Sequence, residues 1–404
     1  MKALYNLPKE VIFCSKCVLS NQRPASIPEF LHKPSRDGAR YLNMKKIPGT
    51  KNYICDACVV GEIKEKINWS KREKELEKLL NKHRSKNGNY DCIVPGSGGK
   101  DSVYASHMLK YKYGMNPLTV TWPPILYTTY GYENFKNWIE VGGFDNITFK
   151  QNGRVMKLLT KLSIQNLLHP FQTFILGQKN IGPRLAAKYN IPLVFYGEAE
   201  AEYGNPVKEL TGTRDTSYWL QKNAKKIYLA GLPIERLINK FNLSKVDLKP
   251  YLPLDVNEIK NKVEVHYLGY YVKWNPQESY YYASEHSNFK ARPFRTQGTY
   301  SKYSSIDDKI DDLHYYTTYI KFGIGRATYD ASQEVRNKNI TRNEAIKLVS
   351  RYDGEFPDKY LDDVLNYLEL KKEEFRKLCD KFRSPHLWKK TGNGWELRRA
   401  IYEK

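Results

Sequence analysis

Residues 92–102 read CIVPGSGGKDS, and no other stretch constrains the chain as strongly. An apolar run, Cys92-Ile93-Val94, enters a glycine turn, and the turn exits into a helical pattern over 103–112. Strand, glycine loop and helix in that order aim backbone N–H groups at a phosphate. Glycine permits positive φ and a close approach of the backbone. Lys100 adds a cation, and Ser97 and Ser102 add hydroxyl donors. The loop is neither of the two common nucleotide loops. A Walker loop needs Ser or Thr after Gly-Lys and a Gly where Val94 stands; here Asp101 follows Lys100. A dinucleotide fingerprint needs a Gly or Ala three residues after its second Gly, and that spacing is missing. The bland alternative is a turn that binds nothing, in which Ser97, Lys100, Asp101 and Ser102 are all incidental.

The length, 404 residues, allows a large core and two or three domains. The formal net charge of +22 attracts anions, among them nucleotides, sugar nucleotides, nucleic acid and anionic membrane faces. It does not choose among them, and a peripheral membrane contact is compatible with it. The 32 tyrosines suit sugar or base contacts, although most tyrosines serve as ordinary half-buried residues. No apolar run approaches the ~20 residues of a membrane span. The N-terminus has no secretory pattern, so the expected location is the cytoplasm.

Two knuckles, Cys14-x2-Cys17 and Cys55-x2-Cys58, supply four thiolates. In a cytosolic chain this pattern points to a closed structural Zn²⁺ site before disulfides. An iron–sulfur cluster uses the same ligands, and free or redox cysteines are the remaining alternative. The polar insert over 23–50 reads as a surface loop. Cys92 and Cys379 lack partners at metal spacing and read as packing residues.

The pattern then predicts a linker helix over 67–83, strands over 118–122, 146–149 and 192–196, and helices over 132–141, 155–168 and 171–189. That alternation predicts a doubly wound, mostly parallel α/β sheet with ligands at the carboxyl ends of its strands. The loops after Val94, Trp122 and Tyr196 are expected to face one another. The last begins at Gly197 and carries Glu198, Glu200 and Glu202 at alternate positions. These carboxylates suit Mg²⁺, an amine or proton transfer, or form a solvated acidic turn. Beyond 251 the texture is an aromatic strand over 266–274 and then helices over 277–287, 307–322, 326–337, 341–352, 357–368 and 371–382. The expected domains are a zinc-binding knuckle module over 1–66, a nucleotide domain over 67–250 and a mainly helical substrate domain over 251–404. Gly323 and Gly325 interrupt a helical pattern at about 1 kcal/mol each. Arg326 and Asp330 then stand at i and i+4, as an exposed ion pair or as an anion site.

The six residues SGGKDS resemble the PP-loop of the ATP pyrophosphatase superfamily, whose members split ATP to AMP and pyrophosphate. Over essentially its whole length the chain resembles the N-acetyl sugar amidotransferases within it. The resemblance rests on CSKCVLSNQRP, ICDAC, PGSGGKDS, GEAEAEYG, GTYSKYSSIDDK, IKFGIGRATYDA, YDGEFP and FRSPHLW. It implies a PP-loop, adenine nucleotide alpha hydrolase-like fold. It also implies conversion of an acetamido group on an activated sugar to an acetamidino group, in bacterial LPS O-antigen or flagellin-glycan pathways. ATP, Mg²⁺ and structural Zn²⁺ are the implied cofactors, with Ser97, Gly98, Gly99, Lys100, Asp101, Ser102 and Gly197 at the nucleotide. Lys100, Asp101, Glu198 and Glu200 are the implied catalytic groups, and Lys302, His314, Arg326 and Asp330 the implied substrate contacts. The sugar is expected on a nucleotide or lipid carrier, and ammonia is expected from a separate glutaminase subunit. The competing class is PP-loop tRNA modification, which the basic charge suits. That class usually carries sulfur on cysteines within the PP-loop domain, where only Cys92 stands, and no RNA-binding module is legible, so no nucleic acid partner is expected. An adaptor with an inactive nucleotide fold is disfavoured by the intact loop.

Overall fold

A computed structural model describes residues 1–24, 31–34, 41–204, 210–214, 216, 219–221, 227–259, 263–392 and 394–403. Much of the insert expected as a surface loop over 23–50 lies outside them. Five parallel strands form the central sheet: β1 (Cys92–Pro95), β2 (Pro117–Thr121), β3 (Asn146–Thr148), β4 (Leu193–Tyr196) and β5 (Glu264–Tyr267). Their order is β5-β4-β1-β2-β3, with Cys92 opposite both Pro117 and Leu193. Every residue of β1 and β2 is buried, as a sheet covered on both faces requires.

Side chains alternate between two layers. Ile93, Val120, Val194 and Val265 join Trp122, Leu159 and Ile181 beneath the helices Gly153–Leu167 and Gln172–Tyr189. Cys92, Val94, Leu193 and Phe195 face the other way, onto Leu109, Leu76 and Leu80. The last two belong to the helix Trp69–His83, which is therefore docked on the sheet and does not act as a free linker. Asn68 caps it, accepting from the Lys71 N–H at 3.0 Å, and the Arg72 guanidinium stacks on Tyr270.

Two expectations about the C-terminal part change. β5 extends the central sheet, so the boundary expected at 250/251 falls between strands of one sheet. The expected strand over 266–274 is only four residues long and passes into a single helical turn, Leu268–Tyr271. Beyond it lie the helices Pro276–Ser287, Asp311–Phe322, Arg326–Arg336, Arg342–Tyr352, Asp358–Leu368 and Lys372–Phe382, then an antiparallel hairpin, Trp388–Thr391 with Gly394–Leu397. Their core is continuous with the sheet domain through Ile164, Leu168 and Phe171.

The N-terminal segment is clasped by the C-terminus. Ser384 Oγ accepts from the Leu4 N–H at 2.9 Å, Tyr5 stacks on Phe382, and His386 Nε2 lies 3.1 Å from Gln22 Oε1. Residues of FRSPHLW thus hold residues of CSKCVLSNQRP. Among the described residues no helix is long and apolar enough to cross a membrane.

Candidate functional site

The strand order reverses between β1 and β4, the switch point where parallel sheets open a crevice. The SGGKDS loop leaves β1 and the GEAEAE loop leaves β4, so both motifs stand at that crevice. The loops touch: a Cβ on Gly197 would lie 2.7 Å from the Asp101 carbonyl oxygen. Gly98 turns the chain at φ +84, and a Cβ there would meet the Phe135 Cα at 2.6 Å. Gly99 then opens the helix Lys100–His107. The N–H groups of residues 97–102 have no backbone or side-chain acceptor among the described residues, which leaves a row of donors for an anion.

Each side chain of the loop is held. Ser97 Oγ donates to Asp307 Oδ2 at 2.7 Å, and Ser102 Oγ donates to the Gly99 carbonyl at 2.8 Å. The Lys100 ammonium pairs with Asp101, whose other oxygen accepts from Trp274 Nε1 at 3.0 Å. The third expected loop, after Trp122, is drawn onto Asp308, which accepts from the Ile125 N–H at 2.6 Å. Its helix, Thr129–Glu140, contributes Gly131 and Asn134 to the site.

The three glutamates differ. Glu202 is buried against the Lys64 ammonium at 2.8 Å. Glu200 pairs with Arg214 at 2.7 Å and faces Lys179 at 3.9 Å. Burial pushes its carboxyl up, but Arg214, Lys179 and Tyr267 outweigh burial and hold it below the ordinary value. Glu198 has no such partner among the described residues. Burial, and then the negative charge of Asp101, pushes its carboxyl up to about 7 against the pull of Lys100. The loop is therefore not a solvated acidic turn.

Two cavities meet at these loops. One, of 410 Å³, lies at the switch point between Gly96, Ser102, Tyr196, Glu200 and Arg214. The larger, 530 Å³, runs from Gly98 and Lys100 to His314, Tyr315, Arg326 and Asp330. Arg23, Asp101, Glu198 and Tyr203 line both.

Gly323, at φ +66, ends the helix Asp311–Phe322, and Gly325 caps the next one, so the two glycines separate two helices and do not kink one. Asp353, from YDGEFP, accepts the Gly325 N–H at 2.9 Å and the Thr328 N–H at 3.1 Å. Arg326 then forms its i,i+4 pair with Asp330 at 2.8 Å inside the cavity and donates to Tyr315 Oη at 2.6 Å. The ion pair and the site position thus coexist. His314 stacks on His169 at 5.1 Å. Lys302 is not brought to this group: it lines an adjoining cavity of 450 Å³ with Tyr280, Tyr300 and Tyr303. Sequence reasoning missed Arg23, Arg214, Asp307 and Tyr315. Arg23 and Asp307 fall inside conspicuous motifs; Arg214 carried no signal.

The four knuckle cysteines are buried and unoxidised, with Sγ atoms all within 4.8 Å of one another. Cys14 to Cys58 is 3.8 Å and Cys17 to Cys55 is 3.7 Å. A tetrahedron with zinc–sulfur bonds of about 2.3 Å has edges of about 3.8 Å, so the set fits one Zn²⁺. An iron–sulfur cluster places several iron and sulfide ions between its thiolates and needs them farther apart.

Residues 297–402 match the family model of the C-terminal domain of WbpG-like LPS biosynthesis proteins. A 67-residue stretch is 43% identical to uncharacterized protein MJ1599 of Methanocaldococcus jannaschii, over 17% of this chain and 24% of that protein. The chain thus spans about a quarter of that relative's length. The structure of NMN synthetase from Francisella tularensis aligns with a TM-score of 0.26 at 18% identity, over 34% of this chain and 57% of that one. Across residues 297–402, which include Asp307, His314, Arg326 and Asp330, the chain matches the LPS-biosynthesis family that its motifs resemble.

Proposed function

We propose that the protein is an ATP-dependent, AMP- and pyrophosphate-forming amidotransferase acting on the acetamido group of an activated N-acetylated sugar in surface-glycan synthesis. The observation that carries this reading is a cavity walled jointly by the phosphate loop and by the segment that matches the WbpG-like domain. A nucleotide with its phosphates on the 97–102 N–H groups can thereby meet a second substrate held beside Arg326.

An amide carbonyl is a poor electrophile for ammonia. In the proposed reaction the acetamido oxygen attacks the α-phosphorus and the bond to pyrophosphate breaks. Ammonia adds to the activated carbon, a proton is lost, and AMP leaves with the former carbonyl oxygen. Lys100 and the loop amides offset charge on the departing pyrophosphate. Glu198, with its carboxyl near 7, takes the proton from the attacking nitrogen. Glu200 is committed to Arg214 and serves to orient. Asp101 and Asp307 flank the loop and are the oxygen donors that Mg²⁺ on the phosphates would meet; the ion would neutralise pyrophosphate charge. Arg326 suits a phosphate or carboxylate of the sugar carrier, and Lys302 with its tyrosines suits the carrier beyond it.

The ammonia source is proposed to be a separate glutaminase. Burial pushes the Cys92 and Cys379 thiols up, opposite to what a nucleophilic thiol requires. The test is incubation with ATP, Mg²⁺, ammonium and N-acetylated sugar nucleotides. Mass spectrometry should find one sugar oxygen replaced by NH, together with AMP and pyrophosphate. ADP and phosphate, or AMP release stimulated by tRNA and not by sugar, would refute the reading. Lys100→Ala should lower turnover by roughly 100-fold or more with the fold intact.

A further inference from the structure

Arg23 follows the first knuckle, and its backbone is fixed from both sides. Its N–H donates to the Ser20 carbonyl at 3.3 Å, and its carbonyl accepts from the Leu42 N–H at 2.8 Å. Its neighbours in SNQRP have structural partners. Asn21 Oδ1 accepts from the Ile12 N–H, and Gln22 Nε2 donates to the Pro8 carbonyl. Arg23 is held differently, through a side-chain hydrogen bond with Tyr329. It is 8% exposed, and its Nε and Nη1 find no acceptor among the described residues. No carboxylate among them reaches it; the guanidinium lies over the Tyr329 ring at 5.2 Å, and the charge of Arg336 repels it. The charges of the Cys55 thiolate and of Tyr329 and Tyr203 favour this cation, but among the described residues no carboxylate pairs with it, which makes its burial costly, and it lines both cavities where they join.

We propose that Arg23 is an anion ligand at the junction of the two cavities and holds the α-phosphoryl group of the nucleotide, so that the zinc-knuckle module supplies a residue of the active site. The assignment to the α position rests on the ATP-cleaving reading above. The 97–102 N–H row takes the leaving end of the triphosphate, and the acceptor lies in the larger cavity, so the phosphorus between them faces the shared wall. A planar guanidinium offers two donors to phosphoryl oxygens and can follow them as charge develops. The four cysteines then have a purpose beyond local folding, because they set the position of a side chain six residues after Cys17.

The test is calorimetric titration of the zinc-loaded full chain with AMP and, separately, with inorganic pyrophosphate. Arg23→Met should bind AMP roughly 10- to 100-fold more weakly and pyrophosphate with unchanged affinity. Lys100→Ala should show the reverse selectivity, and Arg23→Lys should fall between wild type and Arg23→Met for AMP. Without ligand, Arg23→Met should keep its zinc and melt no lower than wild type, since the desolvation of a buried charge with no carboxylate partner has gone. Unchanged AMP binding, a loss confined to pyrophosphate, or a lower melting temperature with zinc loss would each overturn the proposal. Wild-type protein that binds neither probe would instead overturn the ATP-cleaving reading, and this assignment with it.

Discussion

Glu198, Glu200 and Glu202 lie two residues apart and carry the same side chain, so only their surroundings separate them. Glu202 faces Lys64, Glu200 faces Arg214, and Glu198 faces the carboxylate of Asp101. As the proposed base Glu198 must be ionised, so turnover should rise with pH through about 7. Glu198→Gln should lower turnover by roughly 10²- to 10⁴-fold and remove that acid limb, both readable in a pH–rate profile. Stability should move the opposite way. The carboxyl titrates at 4.5 unfolded and about 7 folded, so the folded state holds the proton more tightly. Its contribution is complete below pH 4.5 and is lost as pH rises through 7. Glu198→Gln should therefore melt higher than wild type at pH 8 and no higher at pH 4, by calorimetry. None of this differentiation was legible in GEAEAEYG, because the discriminating cations come from residues 64, 179 and 214.

At the scale of elements, what could be read ahead of the structure was what the chain builds locally. The SGGKDS loop, with its entering strand and exiting helix, is contiguous, and Gly98 stands where positive φ and a close backbone demand a glycine. The helix expected over 341–352 forms as Arg342–Tyr352, with Thr341 and Glu344 in a capping box at its start. The membership of β5 was not legible, since pairing Glu264–Tyr267 with Leu193–Tyr196 depends on partners about 70 residues away. The closing hairpin, Trp388–Thr391 with Gly394–Leu397, lies beyond the last expected helix, 371–382, and was likewise not legible. The knuckles were legible by spacing, but their setting was not: Arg342 donates to the Cys17 and Cys14 carbonyls, tying the site to a C-terminal helix. Cys55→Ser should forfeit most of the roughly 10–16 kcal/mol that a structural zinc contributes to its own module. Zinc analysis should fall to substoichiometric values, and an early unfolding transition should appear by calorimetry. Retained zinc with an unchanged melt would refute the assignment.

For the whole molecule, the net charge of +22 bears on nitrogen supply. Near neutral pH free ammonia is mostly ammonium, whose approach a net positive chain disfavours relative to that of neutral ammonia. The isolated chain should make product with high ammonium and none with glutamine, and an added glutaminase partner should restore glutamine use. Glutamine hydrolysis by the isolated chain would contradict the reading of Cys92 and Cys379. Two long-range contacts also make the candidate site a joint product of distant segments: Ser97 to Asp307, and Trp274 to Asp101. The second has a practical corollary. The Trp274 indole is buried, lies against Tyr203, and donates its N–H to the carboxylate beside Lys100. Its excited state therefore senses the charge on Asp101, and nucleotide arriving at the loop should shift the emission. Under the proposed nucleotide binding the chain would carry its own optical reporter of occupancy, one that Trp274→Phe would silence, and a stopped-flow trace could time phosphate capture without any label.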